Sequence, residues 1–444
     1  MDERPVAVEI KNTAVIGDQV KNKSNYVPEI VIQFLKPKID ESLPVDRGYA
    51  WVCVVSSFIV HFFALGISYI FGVYLEAYIK DPMLSSISIS NISLIGSFTS
   101  AGLPFFAIPA GNLVDRFGHR AIGIIGGIMY MVSLILASLS TTYWQLLLTQ
   151  GVMLGISISV AYFPALTILS QWFVEKKGFA TGIAVAGSGI GGLILSPVTD
   201  WMISTMGRQQ ALLLSGIVGG AAIILSSLTY KLRTPLTVKS GDYGSLIKNG
   251  RFRLLYVLLV IATFGYVAPF FYLPSYAVHY NMTPSQGALA VGILNGASGA
   301  GRIILGYGAD VLGHINSFTL CIFFATMAVV LIWPFATSFG LLLTFAALYG
   351  LFIGGYVSIL PNVVIKMFGL ENIGTKIGAI YSSFFLGSVF GPYIIGYWIA
   401  AFTTGSHINY LPMILYSGVC LIVATFLLAV TKYIVGDHSW LTRV

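Results

Sequence analysis

Long apolar runs alternate with short polar connections along the chain. Twelve of these runs contain about 20 residues each, the length that an α-helix needs to cross the roughly 30 Å hydrocarbon core of a bilayer. The pattern therefore predicts an all-α membrane protein with twelve transmembrane helices. The predicted spans are residues 49–77, 91–112, 121–140, 144–169, 178–202, 210–230, 254–278, 286–309, 316–334, 340–363, 374–400 and 411–434.

Composition supports the membrane class and excludes several others. Hydrophobic residues make up 56% of the chain and charged residues 9%, whereas soluble domains carry about 25% charged residues. The basic residues do not cluster on one face, so no nucleic-acid partner is expected. Cys53, Cys321 and Cys420 all lie in apolar runs, which supports neither a disulfide framework nor a metal site. We expect no cofactor and no metal.

The two ends of the chain are polar. Residues 1–47 contain seven Lys or Arg and eight Asp or Glu and lack the apolar core of a signal peptide. This segment is predicted to be a disordered cytosolic tail, with a second, short cytosolic tail at residues 435–444. The first membrane helix is then expected to target the protein.

Basic residues predict the orientation. With twelve spans both ends lie on one side, and placing that side in the cytosol puts 21 of the 24 Lys and Arg residues inside. Only Lys80 and Arg208 fall outside. The positive-inside rule therefore predicts cytosolic termini. The remaining basic residue, Arg302, lies within the eighth span.

Two patches of the chain repeat at one spacing. GNLVDRFGHR from Gly111 and GYGADVLGHI from Gly306 both fit G-x-x-x-D-x-x-G-H and lie 195 residues apart. GFATG from Gly178 and GTKIG from Gly374 are offset by 196 residues. A shared offset in unrelated patches indicates a duplicated chain, which is a signature of several transporter folds.

The repeat divides the chain into two pseudo-symmetric six-helix halves. The predicted halves are residues 48–230 and 253–434, joined by a cytosolic linker at 231–252. This plan resembles the major facilitator fold, in which the substrate site lies between the halves near the bilayer midplane.

A glycine-rich stretch contains the spacing of a dinucleotide-binding loop. AGSGIGG, Ala186–Gly192, contains G-x-G-x-x-G, but it lies in an uncharged apolar run and lacks the preceding strand of a dinucleotide loop. Small residues instead let helices approach closely in a membrane. For Gly182, Gly187 and Gly191 we expect a sliding contact between the halves, with static packing as the alternative.

The repeated D-x-x-G-H patches predict a gate. Asp115 and Asp310 fall on the predicted cytosolic face, where a carboxylate can cap the N-terminus of a helix of the opposite half. Arg116 and Arg120 lie nearby. Such contacts would keep the inner side shut while the site faces outward. The alternative is that both carboxylates belong to ordinary turns.

Three motifs resemble the monocarboxylate-transporter family, and most closely its fungal branch. DRGYAW, Asp46–Trp51, resembles the signature at the start of the first helix, although Arg47 stands where the family usually has glycine. WFVEKKGFATGIAVAGSGIGG, Trp172–Gly192, is similar to the second signature, and GRIILGYGADVLG, Gly301–Gly313, to fungal members. The likeness covers nearly all of 46–434. The residues that match the two signatures include Asp46, Gly48, Tyr49, Trp51, Trp172, Phe173, Gly182 and Gly187.

The resemblance implies that an arginine in helix 8 engages a substrate carboxylate, and Arg302 occupies that position. A charge within a span costs at least a few kcal/mol on insertion scales and by default marks a functional site. A guanidinium also matches a carboxylate in bidentate geometry. The equivalent residue in the first half is Ala107, so the scaffold does not require this arginine. The alternative is pairing to backbone carbonyls near the cytosolic end of the helix.

Two departures from the family concern proton coupling. Ser298 stands where proton-coupled members have an acidic residue, and Gly72 and Val73 stand where they have a lysine. Coupling by that pair is therefore not expected. His61 is a further titratable group deep in a span and could carry a proton. Its alternative role is that of a neutral packing residue.

Other polar and aromatic residues are candidates to contact the solute. Asn295 and Ser298 precede Arg302 on the same span. Tyr69, Tyr266 and Tyr381 could offer hydroxyls or ring faces to a planar organic anion.

The predicted function is secondary transport of a small organic anion, a monocarboxylate first, by alternating access. The alternatives are a uniporter of a larger or aromatic solute such as a flavin, and a nutrient sensor that does not transport. An enzyme is not expected, because HExxH, GxSxG and Walker motifs are missing. The expected partners are the solute and the lipid bilayer, and the sequence identifies no accessory membrane protein. The plasma membrane is the first expectation for the location and the vacuolar membrane the second.

Overall fold

The computed structural model describes residues 44–79, 81–84, 87, 89–233, 243–402 and 409–435. Within these ranges the chain is helical and contains no strand. The predictions for residues 1–43, for linker residues 234–242 and for the C-terminal tail from residue 436 onward fall outside the described residues.

Twelve helical segments form the molecule, which confirms the predicted all-α membrane architecture. Eleven helices in the described ranges are long and apolar enough to cross a bilayer, and the count is twelve when one bent pair is taken as a single span. They are α1 Tyr49–Ile79, α2 Ile89–Phe105 with Ala107–Phe117, α3 His119–Ser138, α4 Tyr143–Trp172, α5 Lys177–Met206, α6 Arg208–Leu228, α7 Gly250–His279, α8 Pro284–Leu312, α9 His314–Phe335, α10 Phe339–Phe368, α11 Ile373–Tyr381 with Phe384–Ala401, and α12 Leu411–Val435.

The bend in α2 has a local cause. Its two segments meet at Phe106 at an angle of 49°. Pro109, three residues later, has no N–H to donate to the carbonyl of Phe105, so the helical ladder is interrupted there. The bend turns the second segment, which carries Asp115, toward α11.

Helix pairs recur in the two parts of the chain. α1 packs against α5 as α7 packs against α11, and α3 packs against α6 as α9 packs against α12. We call α1–α6 the N-half and α7–α12 the C-half. Two helix pairs join the halves most extensively, α5 with α8 and α2 with α11.

Glycines set the spacing between helices inside each half. On α8 and α10, a Cβ at Gly301 would overlap the carbonyl oxygen of Leu351, and one at Gly354 would overlap that of Ser298. The N-half uses the same device where Gly102 of α2 meets Gly155 of α4. Lipid provides no hydrophobic drive for helix association, so close van der Waals contact holds these pairs together.

A methyl group at Gly301 is therefore expected to destabilise the C-half. Gly301→Ala should lower the free energy of unfolding by about 1–3 kcal/mol, because α8 must move away from α10. Gly296→Ala on the same helix is the matched control, since its Cβ meets no atom within 4 Å. Thermal unfolding in detergent should show a lower midpoint for the first variant and an unchanged or higher one for the second. Equal midpoints would contradict this account of α8–α10 packing.

Candidate functional site

Two carboxylates link the halves at one end of the molecule. Asp115 of α2 accepts the N–H groups of Gly374 (3.0 Å) and Thr375 (2.7 Å) at the start of α11. Asp310 of α8 accepts those of Gly178 (2.6 Å) and Phe179 (2.8 Å) at the start of α5.

These two contacts are related by the sequence repeat. In each, both carboxylate oxygens cap the N-terminus of a helix of the other half, where the unpaired N–H groups and the helix dipole favour an anion. We call this side of the molecule the Asp115/Asp310 end. Arg116 is exposed there and Arg120 is half-buried.

Glycines bring the helices of the two halves into backbone contact beside these carboxylates. A Cβ on any of six glycines would overlap a carbonyl oxygen of the opposite half, and the four contacts that they make form two repeat-related sets. The contacts are Gly111 with Gly374, Gly306 with Gly178, Gly182 with Arg302, and Gly378 with Ala107.

The structure separates the three glycines for which a contact between halves was predicted. Gly182 lies between the halves, against the backbone of α8. Gly187 and Gly191 face the carbonyl oxygens of Phe58 and Phe62 on α1, within the N-half. These two therefore occupy static packing positions, and the G-x-G-x-x-G stretch lies inside a continuous helix.

The two signature motifs pack against each other. Gly48, with a positive φ of 54°, precedes α1. The rings of Tyr49 and Trp172 are 5.5 Å apart, and those of Trp51 and Phe173 are 5.4 Å apart. The hydroxyl of Tyr49 donates to the carbonyl of Thr229 at 2.6 Å, which ties the start of α1 to the end of α6.

Arg302 lies at the contact between the halves and is only 5% exposed. Its Nη1 donates to the carbonyl of Val185 at 2.8 Å and to the hydroxyl of Ser188, both on α5 of the N-half. Its Nε has no hydrogen-bond partner in the described part of the chain. No carboxylate among the described residues forms an ion pair with it.

The surroundings of Arg302 match one part of the alternative in which it pairs to carbonyls near the cytosolic end of α8. Val185 is a carbonyl partner, but it belongs to the opposite half and lies about 12 Å along α5 from Lys177, at 1.5 Å per residue. At the repeat-related position, Ala107 of α2 brings no charge to the α2–α11 contact. Of these two contacts, only α5–α8 contains a buried arginine among the described residues.

A group of aromatic side chains lies within electrostatic range of the guanidinium. Tyr162 of α4 donates a hydrogen bond to the hydroxyl of Tyr381 on α11 at 3.3 Å, across the two halves. The ring of Phe384 lies 5.5 Å from that of Tyr381 and 6.4 Å from that of Tyr266. Tyr162, Tyr266 and Tyr381 are all close enough to Arg302 to interact with it electrostatically.

His61 is buried next to this group. Its Nδ1 is 2.7 Å from the carbonyl of Ser57 on the preceding turn, and its Nε2 has no partner among the described residues. The imidazole makes an edge contact with Tyr162, with ring centroids 4.8 Å apart. It also lies within electrostatic range of Arg302.

The other predicted contact residues, Tyr69, Asn295 and Ser298, differ in their exposure and in the helices that they contact. Tyr69 is 49% exposed and packs beside Gly192, and it lies near enough to Tyr162 and Tyr266 for electrostatic interaction. Asn295 is half-buried next to Gly189 of α5. Ser298 is buried, and its backbone packs on α10.

Sequence reasoning missed the groups that hold Arg302. Val185 contributes only a backbone oxygen, which no residue pattern reveals. Ser188 lies within the AGSGIGG stretch, whose small residues predict close helix packing. Its hydroxyl, a polar group in an uncharged apolar run, was the available signal.

The fold and this buried polar site between helical bundles define a membrane transporter, and comparison with known proteins identifies its family. A model described as Major Facilitator Superfamily matches residues 56–336. The chain belongs to this superfamily. It is a membrane transporter of the major facilitator type, and its relatives and structural neighbours are transporters rather than enzymes.

Relatives from fungi resemble most of the chain. MFS-type transporter 1 of Ophiocordyceps sp. is 31% identical over 414 residues, which cover 91% of this chain and 90% of the relative. The Fujikurins efflux protein of Gibberella fujikuroi is 30% identical over 346 residues, covering 77% and 74%. The Aspyridones efflux protein of Emericella nidulans is 29% identical over 364 residues, covering 81% and 74%.

Solved structures share the fold. A crystal structure of the human organic anion transporter MFSD10 (TETRAN) matches with a TM-score of 0.66 at 14% identity, covering 86% of this chain and 100% of that one. The transporter FucP in the outward conformation matches with a TM-score of 0.65 at 19% identity, covering 86% and 98%.

A methyl group at Gly306 is expected to loosen the α5–α8 contact. Its Cβ would press on the carbonyl of Gly178, whereas a Cβ at Gly308 on the same helix meets nothing within 4 Å. The readout is the rate at which a water-soluble maleimide labels Thr181→Cys, a buried position on α5, in a background without native cysteines. Gly306→Ala should speed labelling and Gly308→Ala should not, and equal rates would refute the contact.

Proposed function

We propose that this protein carries an organic anion across the membrane by alternating access, and that Arg302 pairs with the carboxylate of the solute. The observation that carries the proposal is a buried guanidinium held only by neutral groups. The carbonyl of Val185 and the hydroxyl of Ser188 orient it without neutralising its charge.

Energetics favour an anion as the missing partner. A cation in a membrane interior is costly unless it is paired, and a guanidinium offers a fork of donors that fits a carboxylate. The Nε of Arg302 remains available as such a donor. A solute carboxylate would then remain between the halves while the contacts of Arg302 with α5 are exchanged for contacts with the solute.

The aromatic surroundings support a solute with an apolar or aromatic body. Tyr162, Tyr266 and Tyr381 present rings and hydroxyls near the guanidinium, and rings of this kind stack on planar groups. The names of two fungal relatives refer to efflux of fujikurins and aspyridones. These observations together favour a larger organic acid over a simple monocarboxylate, with export as the direction.

We propose that the anion moves without a proton carried by the residue pair of the monocarboxylate-transporter family. Ser298 cannot carry a proton in place of an acidic residue. A proton on His61 would put a second positive charge close to Arg302, with no carboxylate of the described residues paired to either. His61 is therefore assigned a packing role against Tyr162.

We propose that the Asp115/Asp310 end faces the cytosol, with both chain termini on that side, as the basic residues predict. The two helix caps then keep the cytosolic side closed, in an outward-facing state. The plasma membrane remains the first proposed location and the vacuolar membrane the second.

A second candidate is a uniporter of an uncharged aromatic solute such as a flavin. The aromatic side chains beside Arg302 favour it, and the loss of the family's acid and lysine is compatible with it. In this case Arg302 would orient the halves without contacting a charge. The two candidates differ in whether transport depends on the positive charge at position 302.

Replacement of Arg302 is expected to abolish anion transport. Arg302→Ala should reduce uptake into proteoliposomes at least about 30-fold, because the partner charge is lost in a desolvated site, and Arg302→Lys should retain part of it. Exposed Arg116→Ala is the matched control. The panel is labelled pyruvate, lactate and acetate, a larger aromatic carboxylic acid, and riboflavin, each with and without a proton gradient.

The panel separates the candidates. Saturable uptake of an acid by Arg302→Ala at the normal rate would contradict the anion proposal. Riboflavin uptake that ignores both the substitution and the gradient would support the uniporter of uncharged solutes instead.

Removal of the two caps is expected to open the Asp115/Asp310 end. Asp115→Asn and Asp310→Asn each replace a carboxylate by a group with a single acceptor oxygen, and the double variant should label Thr181→Cys faster than either alone. Loss of a cap typically costs about 1 kcal/mol, which corresponds to roughly a fivefold change in an equilibrium. Unchanged labelling in the double variant would rule out the gate.

A further inference from the structure

We propose that Asp46 is a positioning residue for the gate: it holds the turn before α5 so that the N-terminus of α5 meets Asp310 of the other half. This inference rests on the gating part of the proposed function and is independent of the solute. It assigns a task to the first signature motif, which contacts neither Arg302 nor the aromatic group around it.

The carboxylate of Asp46 accepts three successive backbone N–H groups. They belong to Val174, Glu175 and Lys176, at distances of 3.0 to 3.3 Å. The N–H of Asp46 itself donates to the carbonyl of Trp172 at 2.9 Å. Asp46 adopts a left-handed conformation with φ of 57°, which aspartate tolerates better than most residues. Asp46, just before α1, is thus bonded to both ends of this turn, at Trp172 and at residues 174–176.

The amides of this region are divided between two carboxylates. Those of residues 174–176 bind Asp46, and those of Gly178 and Phe179 bind Asp310. The first N–H groups of a helix have no partner within the helix, so their direction depends on how the preceding turn is held. Because Asp46 fixes that turn, it determines where the two amides that meet Asp310 point.

Lys177 connects the two carboxylates electrostatically. It is the first residue of α5 and interacts with both Asp46 and Asp310. A cation near two anions reduces their mutual repulsion and favours the arrangement in which Asp46 binds the turn and Asp310 caps the helix. Loss of Asp46 would therefore change the electrostatics of the cap as well as the direction of its amides.

The repeat-related turn before α11 is held by a different group. There Lys376 Nζ donates to the carbonyl of Phe368 at 2.5 Å, so the bond comes from α11 itself. Asn372, in a left-handed conformation with φ of 48°, starts that helix. The turn before α5 instead depends on a residue outside both helices that it joins. Asp46 thereby couples this gate contact to the beginning of the first membrane helix.

The test compares labelling of Thr181→Cys in Asp46→Ala, Asp46→Asn and Glu175→Ala. Glu175 is the matched control because its exposed side chain carries the same charge on the same turn. We expect Asp46→Ala to raise the labelling rate about fivefold, Asp46→Asn to raise it less because one acceptor oxygen remains, and Glu175→Ala to leave it unchanged.

Each single variant is then combined with Asp310→Ala. If Asp46 acts through Asp310, Asp46→Ala has no further effect in the Asp310→Ala background. The proposal would be overturned if Asp46→Ala changed the labelling rate by the same factor in both backgrounds, or in neither. Asp46 would then only anchor the fold, and its loss would lower the melting temperature. Should Asp46→Ala fail to reach the membrane, Asp46→Asn decides by the same comparison.

The experiment also separates this proposal from the gate itself. An unchanged labelling rate in Asp310→Ala alone counts against the gate, and the positioning role fails with it. A raised rate in Asp310→Ala without any effect of Asp46→Ala and Asp46→Asn counts against Asp46 alone.

Discussion

A positive charge without a charged partner, buried between two helical bundles, is the constraint on which the rest of this structure depends. Arg302 is oriented by a carbonyl and a hydroxyl of α5, which belong to the opposite half. Neutral acceptors reduce the cost of burying the guanidinium but leave its charge in place. This charge is the reason for proposing an anionic solute, which would bind where the two halves meet.

The α5–α8 contact joins this charge to the proposed gate along one pair of helices. From the Asp115/Asp310 end inward it contains the cap at Asp310, the backbone contacts of Gly306 and Gly182, and then Arg302. The repeat-related α2–α11 contact has a cap and two backbone contacts of glycines as well, but has Ala107 in place of Arg302. One charged side chain thus makes the two contacts unequal.

Much of this arrangement could be predicted from the sequence, because bilayer thickness, apolar length and a fixed repeat offset are strong constraints. From these constraints the helices were predicted, and the all-α membrane fold is confirmed. The hydrogen-bond partners within the site could not be predicted. The carbonyl of Val185 and the N–H groups of Gly374 and Gly178 are backbone groups, whose partners depend on how the helices pack. Glycines at helical spacing predict that another helix approaches closely, but they do not predict which helix. The sequence therefore could not show that Gly187 faces α1 and not the other half.

The most direct test of the central claim is to measure the electric charge that moves with the solute. Currents from proteoliposomes on a solid support would be recorded after a concentration jump of an aromatic carboxylic acid that the protein transports, and of its uncharged carboxamide. The account predicts a current with the sign of moving negative charge for the acid, at equal proton concentration on both sides, and none for the carboxamide. Electroneutral uptake of the acid, or equal transport of the carboxamide, would contradict it.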